Sequence, residues 1–216
     1  MSLSESLARP RSKAEERANA VSHAVGLGLA GIGTIALIVI PAMRGLPLRS
    51  LTCGLFGLSA TMTFLSSAAY HSAATEAQRQ LWLKFDYSSI YLLIAGTYTP
   101  LALSLLTPEV GWALCLAEWG LALLGIVRVL QGRDPSTLFY IAMGSGGLVV
   151  LPALIQGIPV GGLVLLALGG LAYIVGAGFY VWQRLPYNHL IWHIAVILGV
   201  GFHYVAVLRY VALGSA

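Results

Sequence analysis

Charged side chains are scarce in this chain: Asp, Glu, Lys and Arg make up 9% of its 216 residues, against 58% hydrophobic residues and a mean hydropathy of +0.83. That balance excludes a water-soluble globule and points to an integral membrane protein. Cysteine is nearly absent as well. Cys53 and Cys115 are too few for a disulfide framework and lack any CxxC spacing, which excludes thiolate zinc and dithiol redox chemistry and leaves both as packing residues. The net charge of +4 comes from a basic head (Arg9, Arg11, Lys13, Arg17) and from loops, so it does not imply a nucleic-acid partner.

What the chain does have is apolar runs of about 20 residues, each long enough to cross the hydrocarbon as a helix. They predict an all-α polytopic membrane protein: one domain over residues 1–216, a bundle of seven transmembrane helices preceded by a short basic segment, residues 1–18. The expected spans are Asn19 to Met43, Arg49 to His71, Trp82 to Leu106, Val110 to Leu130, Thr137 to Gln156, Val160 to Trp182, and His189 to Leu213. Pro47, Pro108, Pro135, Pro159 and Pro186 fall at or near span ends, where a missing backbone donor costs little. The first run begins near Val21 and is too long for the core of a signal peptide, so it is expected to remain as a helix.

Orientation follows from the basic residues. With the N-terminus cytosolic, Arg9, Arg11, Lys13, Arg17, Arg79, Lys84, Arg128, Arg133 and Arg184 lie inside, and only Arg44, Arg49 and Arg209 lie outside with the C-terminus. Small residues in the fifth and sixth spans, "GSGG" (144–147) and "GAG" (176–178), are expected to let helices pack closely. "GLGLAG" (26–31) matches a dinucleotide fingerprint only in letters, because no strand precedes it and it lies within an apolar span.

This topology gathers ionisable residues at one end. His71 closes the second span, Asp86 lies near the start of the third, and "HLIWH" places His189 and His193 at the start of the seventh. His189 and His193 are spaced i, i+4 and project from one helix face, as two ligands of one metal require; Ser67 and His71 repeat the spacing. Each has an ordinary explanation alone: Ser67 bonding its own backbone, Asp86 pairing with Lys84 or Arg79. Together they are costly to bury in a membrane and read as a metal site. Imidazoles with a carboxylate and no cysteine suit zinc, and three protein ligands leave a fourth position for water.

"SAAYHS" from Ser67, "KFDYSSIYLLIAGTYTP" from Lys84, "HLIWHIAVILGVGFHYVAV" from His189 and "EERANAVSHAVG" near the start resemble the bacterial hemolysin III family. That family is related to the progestin and adipoQ receptors and, more distantly, to the alkaline ceramidases, which share a serine and histidine spaced SxxxH, an aspartate and a paired HxxxH. The resemblance covers essentially the whole chain. It implies a multi-pass protein of the bacterial plasma membrane with a cytosol-side zinc on His71, His189 and His193, and Asp86 beside or on the metal. It also implies hydrolysis of lipid amides, with membrane lipids as partners and substrate source. In that mechanism Asp86 serves as general base, and Ser67 orients a ligand or supports the oxyanion. Two other readings stand beside it: a receptor-like or structural zinc that bolts the second, third and seventh helices together, and a lytic pore. A pore needs polar residues from face to face, whereas here most gather at one end.

Other polar residues carry weaker expectations. Glu16, Asn19 and His23 share one face at the start of the first helix, as a cap or as support for the site. His203 lies about 15 Å of helix rise beyond His193 and is expected to hydrogen-bond within the bundle. Glu118 is the one deeply placed carboxyl group, either neutral or paired with Arg209, with proton or ion movement as the other reading. Tyr87, Tyr91, Thr97 and Tyr98 on the third helix are expected to pack or to line a pocket above Asp86. Trp82, Trp112, Trp182 and Trp192 are expected at the membrane interfaces.

Overall fold

The computed structural model describes residues 10–214; Arg9 and the rest of the segment before Pro10 lie outside the described residues. Helix α1 runs Lys13–Met43 and α2 Pro47–His71. Helix α3 runs Glu76–Leu105, α4 Pro108–Leu130, α8 Val160–Val181 and α9 Asn188–Val207, the last continuing as a π-helical turn over Leu208–Ala212. Among the described residues six helices are long and apolar enough to cross a membrane, or seven if the bent stretch between α4 and α8 is one span.

Two of these helices begin before the apolar runs do, and capping explains both. The Ser12 hydroxyl accepts from Glu15 N while the Glu15 carboxylate accepts from Ser12 N, so α1 starts at Lys13 rather than Asn19. Thr75 and Gln78 form the same reciprocal box, and α3 starts at Glu76 rather than Trp82. The added turns carry Glu16 and Arg79 to the histidine end of the bundle.

The fifth span differs more. Where the composition predicts one helix over 137–156, the chain forms α5 (Thr137–Gly144), α6 (Gly146–Val149) and α7 (Leu151–Gly157), with a bend of 56° between α6 and α7. Pro152 removes a donor in the first turn of α7, and the glycines at 144, 146 and 147 lower the cost of leaving the helix one turn earlier.

Helices α2 and α3 occupy the interior. Their apolar windows are 61% buried, against 22% for α1 and α8 and 28% for α4, whose outer faces present residues such as Val25, Leu29, Ile32, Leu123 and Leu171 to lipid. Leu37, Phe56, Phe64, Leu93, Val196, Val200 and Val207 form the main core, joining α1, α2, α3 and α9. The seam between α2 and α3 is polar: Thr63 donates to the Ser89 carbonyl (3.1 Å), and the Ser66 and Ser89 hydroxyls lie 3.0 Å apart. Between membrane helices, such small polar residues supply the attraction that apolar contact with lipid cannot. The third-helix tyrosines serve packing. Tyr91 packs at a tilt against Tyr140 of α5 with centroids 4.4 Å apart, and Tyr98 hydrogen-bonds Gly144.

Gly26 of α1 packs against α2 near the site, since a Cβ there would stand 2.9 Å from the Phe64 ring. Gly28 and Gly31, the other glycines of "GLGLAG", face open space within the same helix, which is no phosphate loop. Cys53 and Cys115 are both free and buried.

Candidate metal centre

His71 is the last residue of α2, and His189 and His193 occupy the first two turns of α9. The three are 7%, 8% and 1% exposed, and they offer one nitrogen each within 4.8 Å of one another. Chain segments more than a hundred residues apart meet here because α1 anchors both ends. The second Glu15 oxygen accepts from Tyr187 N (2.7 Å), the residue in the left-handed conformation (φ 57°) that turns the chain into α9.

The hydrogen bonds fix which nitrogens face inward. A carboxylate only accepts, so His71 donates from Nδ1 to Glu16 Oε2, 2.6 Å away, and its Nε2 keeps a lone pair. Glu16 is itself held between Arg11 and Arg79, each 3.6 Å from its other oxygen. His193 Nδ1 lies 3.2 Å from the Asn19 carbonyl and 3.1 Å from the Ser22 hydroxyl, which itself donates to that carbonyl (2.8 Å). His193 is therefore also an Nδ1 donor, with Nε2 free to bind.

His189 completes the set. Its Nε2 is 3.1 Å from His71 Nε2, while its buried Nδ1 has no partner among the described residues. Zn–N bonds of about 2.0–2.1 Å in a tetrahedron put ligand nitrogens about 3.3 Å apart, close to this separation. Inward lone pairs, outward Nδ1–H groups held by a carboxylate and a carbonyl, and near-complete burial fit a zinc ion.

Ser67 lies one turn further into the bundle than His71. The Asp86 carboxylate has Ser67 as its side-chain hydrogen-bond partner, one turn before His71 on α2. Asp86 is not a member of the three-histidine group. The structure thus brings His71, His189 and His193 together and pairs Asp86 with Ser67, which precedes His71 by one turn of α2.

Glu16, Asn19 and His23 all belong to the site, though not as one clamp. Glu16 orients His71, and Asn19 acts through its carbonyl. His23 stacks on His193 with ring centroids 3.5 Å apart and an interplanar angle of 11°. Sequence reasoning missed Ser22 and Glu15. Glu15 had a readable signal, the S-x-x-E capping box from Ser12; Ser22 had none beyond lying one residue before His23. His203 is remote, with Nε2 3.2 Å from the Leu166 carbonyl. Trp112 and Trp182 are exposed at span ends, whereas Trp192 packs against the core and lies 5.7 Å from Tyr180.

A sequence profile of the family described as "Haemolysin-III related" matches residues 11–204. The chain is 38% identical over 201 residues to "Hemolysin-3" of Bacillus cereus, covering 91% of this chain and 92% of that protein. It is 36% identical over 200 residues to "Hemolysin-3 homolog" of Bacillus subtilis (strain 168), covering 91% and 94%. A more distant similarity, 24% over 196 residues, links it to "Monocyte to macrophage differentiation factor" of Homo sapiens, covering 82% and 81%. The chain belongs to the haemolysin-III related family.

Proposed function

We propose that this member of the haemolysin-III related family is a zinc-dependent hydrolase of lipid amides, with its site at the cytosolic end of the bundle in the bacterial plasma membrane. The observation that carries the reading is the pair of facing Nε2 atoms, 3.1 Å apart on His71 and His189, with the Nδ1 of His71 and of His193 tied outward. Zinc held by these three residues supplies Lewis acidity and activates water near neutral pH. Asp86 is the general base. Ser67 donates its one hydroxyl proton to that carboxylate and so orients the base, one turn from His71.

The substrate class follows from depth. The three histidines sit at helix ends, level with lipid headgroups, where an amide linking a headgroup to an acyl chain lies. Among the described residues Arg11, Lys13, Arg17, Arg79, Lys84, Arg128, Arg133 and Arg184 belong to this end of the bundle and Arg44, Arg49 and Arg209 to the other, which supports an N-terminus in the cytosol.

A receptor-like or structural zinc needs the same histidines, but a closed site needs a fourth protein ligand. Asp86 bonds Ser67 and stands outside the histidine group, which favours an open set. Incubation of the purified protein with ceramides and other acyl-amide lipids tests the reading. Fatty acid release above a His193→Ala control is expected; none across the panel would remove the hydrolase and leave the other zinc reading.

A further inference from the structure

We propose that Glu118 and the broken fifth span form an intramembrane cation site that takes a single positive charge, H⁺ or Na⁺, far from the histidine end. Glu118 is ten residues into α4, about 15 Å along a 23-residue helix, so it lies near the middle of its span. The residue is 3% exposed. Its Oε2 is buried with no hydrogen-bond partner, and among the described residues no basic side chain forms an ion pair with it. Arg209, the partner expected from sequence, lies instead over the Tyr210 ring at 5.7 Å.

The surroundings are shaped around this carboxyl group. A Cβ on Gly146 would stand 2.4 Å from Glu118 Oε1, so the carboxyl group lies directly against the α6 backbone and would have to move for any other residue there. Tyr98 of α3 also reaches Gly146, its hydroxyl 3.6 Å from the position of such a Cβ, yet that hydroxyl is already committed. It donates to Gly144 O and accepts from Gly147 N, both at 2.7 Å, and so bridges the break between α5 and α6. On α3, the Thr99 hydroxyl donates to the Ala95 carbonyl and accepts from Trp119 and Cys115. On the fifth span, Gly146 lies against Glu118, and the hydroxyl of neighbouring Ser145 donates to Ile141 O. No charged group of the described residues bears on Glu118.

An unneutralised carboxylate at such a place costs several kcal/mol, so a bound cation must cancel the charge. The site has the form that membrane proteins use to bind small ions: a carboxyl group at mid-depth against an interrupted helix, where irregular backbone is tolerated because it lines a site. Proton and sodium share the chemistry of one positive charge on one carboxyl group.

Difference infrared spectroscopy on the purified full chain in lipid nanodiscs reads the site without reference to the metal centre. In sodium-free potassium buffer, a protonated-carboxyl C=O band is expected that disappears in Glu118→Gln and falls as pH is raised from about 5 to about 9. Added Na⁺ removes the band at fixed pH if sodium is the ligand and leaves it unchanged if the ligand is the proton. Glu118→Asp, which keeps the carboxyl group, should retain a shifted band, and a parental gel-filtration profile and thermal midpoint confirm that each variant is folded. The proposal is overturned if no Glu118-dependent band exists at any pH and no Na⁺ binds. It is equally overturned if the band is present but constant across the pH range and insensitive to Na⁺, which makes Glu118 a permanently neutral packing group.

Discussion

Glu16 Oε2 stands 2.6 Å from His71 Nδ1, and this contact ties the start of α1 to the end of α2 while deciding which nitrogen of His71 faces His189. A carboxylate behind a metal-binding imidazole holds the tautomer and raises its basicity. Replacing Glu16 with Ala is therefore expected to weaken zinc binding by about 10- to 100-fold, and with Gln by less, since the amide oxygen still accepts. Chelator competition on the purified variants measures both.

Arg79 gives the contrasting outcome. It pairs with Glu16 at 3.6 Å from a partly exposed position and donates to the Tyr70 hydroxyl (2.9 Å). Such a pair is worth about 0–1 kcal/mol. Arg79→Ala should leave zinc affinity within a few-fold of the parent in the same titration. A loss as large as that of Glu16→Ala would mean that the arginine, not the carboxylate, organises His71.

Asp86 and Ser67 separate binding from chemistry. Because Asp86 is outside the histidine group, Asp86→Asn and Ser67→Ala are expected to keep zinc at parental stoichiometry. Release of fatty acid from a lipid amide should fall by about 10²- to 10⁴-fold in Asp86→Asn, the usual contribution of a positioned base. Zinc lost together with activity in Asp86→Asn would make the aspartate a ligand.

Gly26 tests the packing beneath the site. A valine there must displace Phe64, which meets His23 edge-on at 5.1 Å, and His23 is stacked on His193. Overpacking of this kind costs about 1–3 kcal/mol. Gly26→Val should lower the thermal midpoint in detergent and weaken zinc binding, whereas Gly28→Val, facing open space in the same helix, should do neither.

The meeting of His71, His189 and His193 was legible in the sequence because two physical rules suffice for it. Apolar run lengths count the spans, and the i, i+4 spacing puts His189 and His193 on one face. Helix starts were less legible: Ser12 and Thr75 cap helices whose first turns are polar, so hydropathy passes over them. The break in the fifth span was hidden because Gly144 to Gly147 read equally well as a close-packing surface. Tyr98, distant in sequence, ties the two sides of the α5–α6 junction through its hydroxyl, and the 56° bend follows between α6 and α7, just before Pro152. The role of Asn19 was out of reach for a similar reason, since it supports His193 with its backbone carbonyl, which any residue type would supply.

The most direct measurement is the metal content of the purified full chain, by mass spectrometry of the elements, for the parent, His189→Ala and His193→Ala. The account predicts about one zinc per chain in the parent and less than about half of that in either variant, as expected when one of three ligands is removed. Less than about half an equivalent in carefully prepared parent protein, unchanged by His189→Ala, would contradict it.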